Sequence, residues 1–160
     1  GLLLPKYYRP KVTKTYKVGV IPHYVDYQKA KELYGQREDI NVVDLLSDDL
    51  FATTDHILQC EYIISSSLHG LVIAHAYGIP AVWAPFSDKL SGDNTKYADY
   101  FMSVGIPPYN GKVMDEGLTL QQLEALCKED IAMPKAEVIA EVQQQLIAAF
   151  PKAWMKAGSV

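Results

Sequence analysis

Cysteine is scarce in this chain of 160 residues, and so is an excess of charge of either sign. The two cysteines, Cys60 and Cys127, lack the spacing of metal ligands, which predicts reduced, buried thiols in a cytoplasmic protein. The 15 Lys and Arg residues against 19 Asp and Glu residues give a formal net charge of −4. Because this balance offers no basic surface, we expect no nucleic-acid partner.

Long hydrophobic runs are missing as well. No apolar segment approaches the ~20 residues that cross a bilayer, so we expect no membrane span. The opening residues 1–5 are too few for the apolar core of a signal peptide. The chain starts abruptly at Gly1 with apolar residues, and we therefore expect a piece of a longer enzyme whose N-terminal partner domain is missing.

Several well-known chemical motifs are also absent from the sequence. There is no phosphate-binding Gly-x-x-x-x-Gly-Lys loop and no dinucleotide-binding Gly-x-Gly-x-x-Gly. No Gly-x-Ser-x-Gly elbow is present for a serine nucleophile. His69 and His75 are six residues apart, which would place them on different faces of a helix, so we predict no metal site.

The chain does contain short apolar runs that alternate with helical patterns of about ten residues. Strands are predicted at 17–22, 40–45, 62–65 and 81–84, and helices at 26–34, 68–77, 97–104, 118–128 and 136–150, with a further helix capped by Ser47 or Asp48. This alternation predicts an α/β fold with a Rossmann-like parallel sheet, helices on both faces and C-terminal helices over 118–157, all in one domain over 1–160. A stripe of apolar residues in the last helix is expected to pack against the core: Val138, Val142, Leu146 and Phe150.

The segment 62–83 combines a buried strand, a Ser-rich turn, an apolar helix and a Gly-Ile-Pro turn into a second strand. His69 lies in the first turn of that helix, next to the carboxyl end of the strand. Ligands of open α/β sheets bind at this end, and the exposed N–H groups of a helix start favour anions. The pattern predicts that a small anion binds beside His69.

Polar side chains follow three of the predicted strands, and these loops should meet at one edge of the sheet. They are His23 after the first strand, Ser65, Ser66, Ser67 and His69 after the third, and Asp88 and Lys89 after the fourth. A histidine can move protons near neutral pH and a lysine can hold an anion. Purely structural roles stay open: His69 as a cap, His23 in its turn, the serines at element ends, and Lys89 and Lys96 as solvated loop charges. We interpret His75 as a hydrogen-bonded core histidine.

The sequences Ser65-Ser-Ser-Leu-His-Gly70 and Ala74-His-Ala-Tyr-Gly-Ile-Pro80 resemble the polysaccharide pyruvyl transferase family. The flanking segments 18–26 and 96–105 are similar to that family too, so that the likeness covers roughly residues 1–106. It implies the C-terminal half of a GT-B-like two-domain enzyme that moves the enolpyruvyl carbons of phosphoenolpyruvate onto two sugar hydroxyls, forming a pyruvate ketal. It also implies an exopolysaccharide or cell-wall glycan as product.

The resemblance assigns roles to individual residues. It implies that His69 is catalytic and manages protons, and that Lys89 holds phosphate or carboxylate. The remaining substrate-binding residues that it implies are His23, Ser65, Ser66, Ser67, Leu68, Gly70 and Lys96. No cofactor is implied beyond phosphoenolpyruvate as the donor substrate, and the acceptor is a saccharide or a lipid-linked saccharide. The expected location is cytoplasmic, or at the inner face of the membrane.

One position departs from the family pattern, because Ser67 stands where members often carry an arginine. Serine cannot reproduce the bidentate grip of a guanidinium on phosphate. An arginine from the missing domain could replace it, the donor could differ, or the fold could serve another reaction. The alternatives are therefore a GT-B-type glycosyltransferase that uses a nucleotide sugar, against which Val72 and Ile73 argue in place of an acidic residue, and a noncatalytic glycan-assembly module.

Overall fold

The computed structural model describes residues 1–87, 94–114 and 116–150. Over these residues the chain forms an all-parallel sheet of four strands in the order β2-β1-β3-β4. The strands are β1 (Tyr16–Ile21), β2 (Ile40–Val42), β3 (Cys60–Ser65) and β4 (Ala81–Trp83). The predicted α/β class and parallel sheet are confirmed.

Helices connect and flank the strands. They are α1 (Leu4–Tyr7), α2 (Tyr27–Tyr34), α3 (Leu50–Leu58), α4 (Leu68–Ala76), α5 (Thr95–Ser103), α6 (Leu120–Cys127) and α7 (Ala136–Ala149). The cap of α3 is Asp49, not Ser47 or Asp48, because its carboxylate accepts a hydrogen bond from the Ala52 N–H at 2.9 Å. Helix α6 begins with a reciprocal capping box between Thr119 and Gln122.

The sheet is covered on both faces, as the predicted layering requires. Ile21 and Ile63 point to one face, where they join a cluster that includes Leu71 of α4. Val20 and Ile64 point to the other face, where the cluster includes Leu123 of α6. The central strands β1 and β3 are apolar on both sides because each face of a parallel sheet is buried under helices.

The prediction for the last helix was wrong in one respect. Leu146 and Phe150 are 43% and 49% exposed, whereas Ile139 and Gln143 are the buried residues of α7. A strict i, i+4 stripe advances about 40° around the helix at every step, since a turn takes 3.6 residues. Over three steps the stripe therefore turns away from the core. Residues 151–157 of the predicted helical region lie outside the described residues.

His75 is fixed inside the protein by α4, the most apolar of the helices that flank the sheet. Its Nδ1 lies 2.9 Å from the Tyr100 hydroxyl, and its Nε2 lies 3.1 Å from the carbonyl oxygens of both Ala81 and Ala132. Because carbonyls only accept, Nε2 carries the proton and Nδ1 accepts from Tyr100. Burial lowers the pKa of His75 to about 4. The interpretation as a core histidine is confirmed.

Candidate functional site

The loops after β1, β3 and β4 meet at the carboxyl edge of the sheet, as their strand order requires. The Ser66 hydroxyl accepts a hydrogen bond from the His23 N–H at 2.8 Å and donates to Asp26 Oδ2 at 3.3 Å. The Ser87 hydroxyl donates to the other carboxylate oxygen, Asp26 Oδ1. Three βα corners are thus bonded to one another. The term edge crevice denotes the space above these corners, beside His23, Ser66, His69 and Ser87.

The three serines are buried, and two of their hydroxyls are used inside the protein. The Ser65 Oγ accepts from the Ser67 N–H at 3.0 Å and lies 2.8 Å from the carbonyl oxygens of Ile21 and Ser67. Ser66 is bonded to Asp26 through its hydroxyl. These side chains therefore shape the turn between β3 and α4.

Helix α4 starts without a capping side chain. Ser67 occupies the cap position, and its hydroxyl makes no cap hydrogen bond. The first N–H groups of a helix have no partner within the helix, and no side chain of the described residues caps those of α4, so this helix start favours an anion. Leu68 is half-buried at this start and packs against the core, and it contributes its main chain rather than a polar side chain.

His69 and His23 lie on two corners of the edge crevice. His69 is exposed in the first turn of α4. His23 is half-buried, and its buried Nδ1 has no hydrogen-bond partner among the residues that the structure describes. Burial lowers the pKa of His23, the positive charges of Lys96 and His69 lower it further, and the charge of Asp26 opposes them. A lysine and a second histidine, each from another element, therefore influence His23 here.

Lys96 reaches the edge crevice from the first turn of α5. Its ammonium lies 5.2 Å from the centroid of the Tyr97 ring, and the side chain is exposed. Tyr97 anchors this turn because its hydroxyl donates to the Ser66 carbonyl at 2.8 Å and its ring stacks on Trp83 at 4.3 Å. Lys89, with Asp88, lies outside the described residues.

Gly70 lets α4 approach the sheet closely. A Cβ at this position would lie 2.5 Å from Ser65 Oγ and 2.9 Å from Ile21 Cγ2. The turn that carries His69 therefore leaves no room for a side chain at position 70.

Replacing Gly70 with alanine should lower the free energy of unfolding by about 1–2 kcal/mol. Overpacking costs ~1–3 kcal/mol, and the better helix propensity of alanine returns less than ~1 kcal/mol. Urea denaturation measures this, and Gly117→Ala is the matched control because its new Cβ would come no closer than 3.8 Å to Leu33. An unchanged stability of Gly70→Ala would show that the contact relaxes without cost.

Two residues of the edge crevice were not predicted as site residues from the sequence. Asp26 and Tyr97 were predicted only as the first residues of two helices. An acidic residue three positions after a strand-end histidine was the signal available for Asp26. Neither contact could be found from the sequence, since both partners are more than 30 residues away in the chain.

Cavities also occur elsewhere in the described residues. A cavity of about 370 Å³ beside Arg9, Lys14 and Tyr77 lies at the amino ends of β3 and β4. Within residues 1–87, 94–114 and 116–150, no group of three or more His, Cys, Asp or Glu side chains could hold a metal ion. No helix in those same ranges is long and apolar enough to cross a membrane.

The fold and the candidate site define an α/β protein with a parallel sheet. Two histidines and a lysine lie at the carboxyl edge of this sheet, near the start of α4. The family model described as polysaccharide pyruvyl transferase matches residues 3–86, just over half of the chain. The chain belongs to the polysaccharide pyruvyl transferase family.

One relative and the solved structures complete the comparison. The chain is similar to "Uncharacterized protein L143" of Acanthamoeba polyphaga mimivirus, with 43% identity over 94 residues. This match covers 57% of the chain and 33% of the viral protein, so the chain spans about a third of the curated relative that it matches. No solved structure matches the chain.

Proposed function

We propose that this chain is the donor-binding and proton-handling part of an enzyme that transfers pyruvyl groups from phosphoenolpyruvate to a saccharide. The product is a pyruvate ketal on an exopolysaccharide or cell-wall glycan, and phosphate is released. The observation that carries the proposal is the position of His69, exposed in the first turn of helix α4 and close enough to His23 for its charge to lower the pKa of His23, as the charge of Lys96 also does.

The chemistry needs an acid that protonates the enol methylene and a base that takes the proton of the attacking sugar hydroxyl. Protonation of the enol methylene builds positive charge on the adjacent carbon, and a sugar hydroxyl attacks that carbon. A second hydroxyl then replaces the phosphate, so that two C–O bonds to the sugar form and the C–O bond to phosphate breaks. One hydroxyl proton replaces the proton given to the methylene, and the other leaves with phosphate. His69 is the group proposed to deliver and recover the proton, a contribution worth ~10²–10⁴ in rate.

The donor's negative charge needs positive partners, and the chain offers lysines and N–H groups. Because Ser67 supplies no guanidinium, we assign the phosphate or carboxylate to the start of α4 with Lys96, and to Lys89 by its sequence position. His23 contributes a neutral imidazole, since burial and the nearby positive charges keep its pKa low. We place the saccharide or lipid-linked saccharide acceptor across the edge crevice, against a further domain of a GT-B-like enzyme in the cytoplasm or at the inner face of the membrane.

The experiment that tests this function is a thermal-shift comparison on the full-length protein. Phosphoenolpyruvate at 100 times its dissociation constant should stabilise the fold by about 2.7 kcal/mol, and nucleotide sugars should not. Stabilisation by a nucleotide sugar alone would favour a glycosyltransferase. The absence of any pyruvyl transfer to glycan acceptors would contradict the proposal.

Lys96→Met should raise the apparent dissociation constant for phosphoenolpyruvate about tenfold, because one charge near a phosphate is removed while the apolar stem is kept. The measurement is a titration followed by thermal shift. The matched control is Lys135→Met, an exposed lysine at the start of another helix, α7, which should leave the constant unchanged. Equal dissociation constants for Lys96→Met and wild type would show that Lys96 is only a solvated surface charge.

A further inference from the structure

Asp26 is an unusual carboxylate because it is 1% exposed and has no cationic partner among the ion pairs of the described residues. A buried charge is costly unless hydrogen bonds satisfy it. Among the described residues, its hydrogen-bond donors are the hydroxyls of Ser66 and Ser87, which come from the corners after β3 and β4. Asp26 itself lies in the 3₁₀ turn after β1, so that one carboxylate contacts all three corners.

The orientation of this side chain is a second departure from the ordinary pattern. Asp26 occupies the cap position of α2, where an aspartate normally accepts hydrogen bonds from the N–H groups of its own helix. Here the carboxylate makes no such bond and points across the sheet edge instead. The free energy that a cap would contribute to α2 is given up for contacts with other loops.

Ser66 links this carboxylate to the histidine of the first corner. Its hydroxyl donates to Asp26 and accepts from the His23 N–H, and its carbonyl accepts from Tyr97 of α5. The main chain at His23 and the first turn of α5, which carries Lys96, are therefore held through the same serine. Moving Asp26 would move both groups relative to His69.

We propose that Asp26 is a positioning residue of the edge crevice, which fixes the corners after β1, β3 and β4 and holds His23 at its place opposite His69 and Lys96. This role rests on the proposed function of the same site. Asp26 touches no substrate atom in this scheme and acts through Ser66 and Ser87. A misplacement of about 1 Å at reacting groups can cost ~10²-fold in rate, so the expected effect is large.

The effect of the Asp26 charge on the pKa of His23 distinguishes a positioning role of Asp26 from a general contribution to folding. Within the described part of the chain, the charged groups that face His23 are Lys96 from α5, His69 from α4 and Asp26 from its own turn. Burial and the two cationic groups lower the pKa of His23, and Asp26 raises it. Removing the negative charge while keeping the shape should therefore move the His23 titration to lower pH.

The test is Asp26→Asn in the full-length protein. We expect kcat/KM for pyruvyl transfer to fall 10–100-fold at a temperature where the variant is folded, and the His23 ring resonances to titrate at lower pH by NMR. The matched control is Asp55→Asn. Asp55 lies on α3 and also accepts a hydrogen bond from a hydroxyl, that of Tyr8, at 2.8 Å. That control should lose stability and keep both the rate and the His23 titration.

Wild-type kinetics together with an unmoved His23 titration in folded Asp26→Asn would overturn the proposal. If the wild type itself transfers no pyruvyl group, the function fails, and the NMR titration still decides the role of Asp26. Should Asp26→Asn not fold, Ser66→Ala and Ser87→Ala each remove one donor to the carboxylate. The Ser66 variant should then expose the His23 amide to faster hydrogen exchange, and unchanged exchange would contradict the link.

Discussion

Replacing His69 with alanine should lower the turnover of the full-length enzyme at least ~10²-fold while the fold survives. The rate falls because a positioned acid–base group contributes ~10²–10⁴ to proton transfer. The fold survives because His69 is exposed in the first turn of α4, where alanine is a better helix former. Steady-state kinetics with phosphoenolpyruvate and a glycan acceptor measures the first effect, and thermal unfolding measures the second.

His56→Ala is the matched control for this substitution. His56 is also an exposed helical histidine, at the end of α3, and lies outside the edge crevice. The His56→Ala substitution should leave both the turnover and the free energy of unfolding nearly unchanged. Wild-type turnover in His69→Ala would remove this residue from the mechanism, and the anion-binding role of the α4 start would then stand without a proton-transfer partner.

The sheet could be predicted from the sequence because its strands are nearly continuous apolar runs. The central strand β3 and the helix α4 follow from the pattern of residues 60–76 almost to the residue. Strand β2 ends at Val42, three residues before its predicted end, although Val43 and Leu45 still pack on one face. A run of apolar residues shows burial, and it does not show where the backbone stops pairing with its neighbour.

The candidate site could be predicted only in outline. Parallel strands end at one edge, so His23 and His69 were expected in neighbouring loops, and they lie directly after β1 and at the start of α4, which follows β3. Asp26 could not be found, because an aspartate before a helix is the usual sign of a cap. Its partners Ser66 and Ser87 are 40 and 61 residues away, and distant hydrogen bonds of this kind leave no local pattern.

Acid should destabilise the protein through His75, and His75→Gln should remove that effect. The pKa of His75 is lowered to about 4 in the folded chain, against 6.5 for an ordinary histidine. The neutral ring therefore stabilises the fold fully above pH 6.5, and this contribution is lost as the pH falls toward 4. The slope approaches 1.4 kcal/mol per pH unit, on the order of 3 kcal/mol over the whole window.

Urea denaturation between pH 7 and 4.5 measures this loss, and the glutamine variant isolates it. A glutamine amide can accept from Tyr100 and donate to the Ala81 carbonyl without titrating, so the variant should be less stable at pH 7 from imperfect packing yet lose less on acidification. His23 also has a lowered pKa and titrates in both proteins, so the difference between the two curves belongs to His75. If wild type and variant lost stability in parallel down to pH 4.5, the buried ring would have to accept a proton in the folded state without cost, for example by exchanging its carbonyl partners for water.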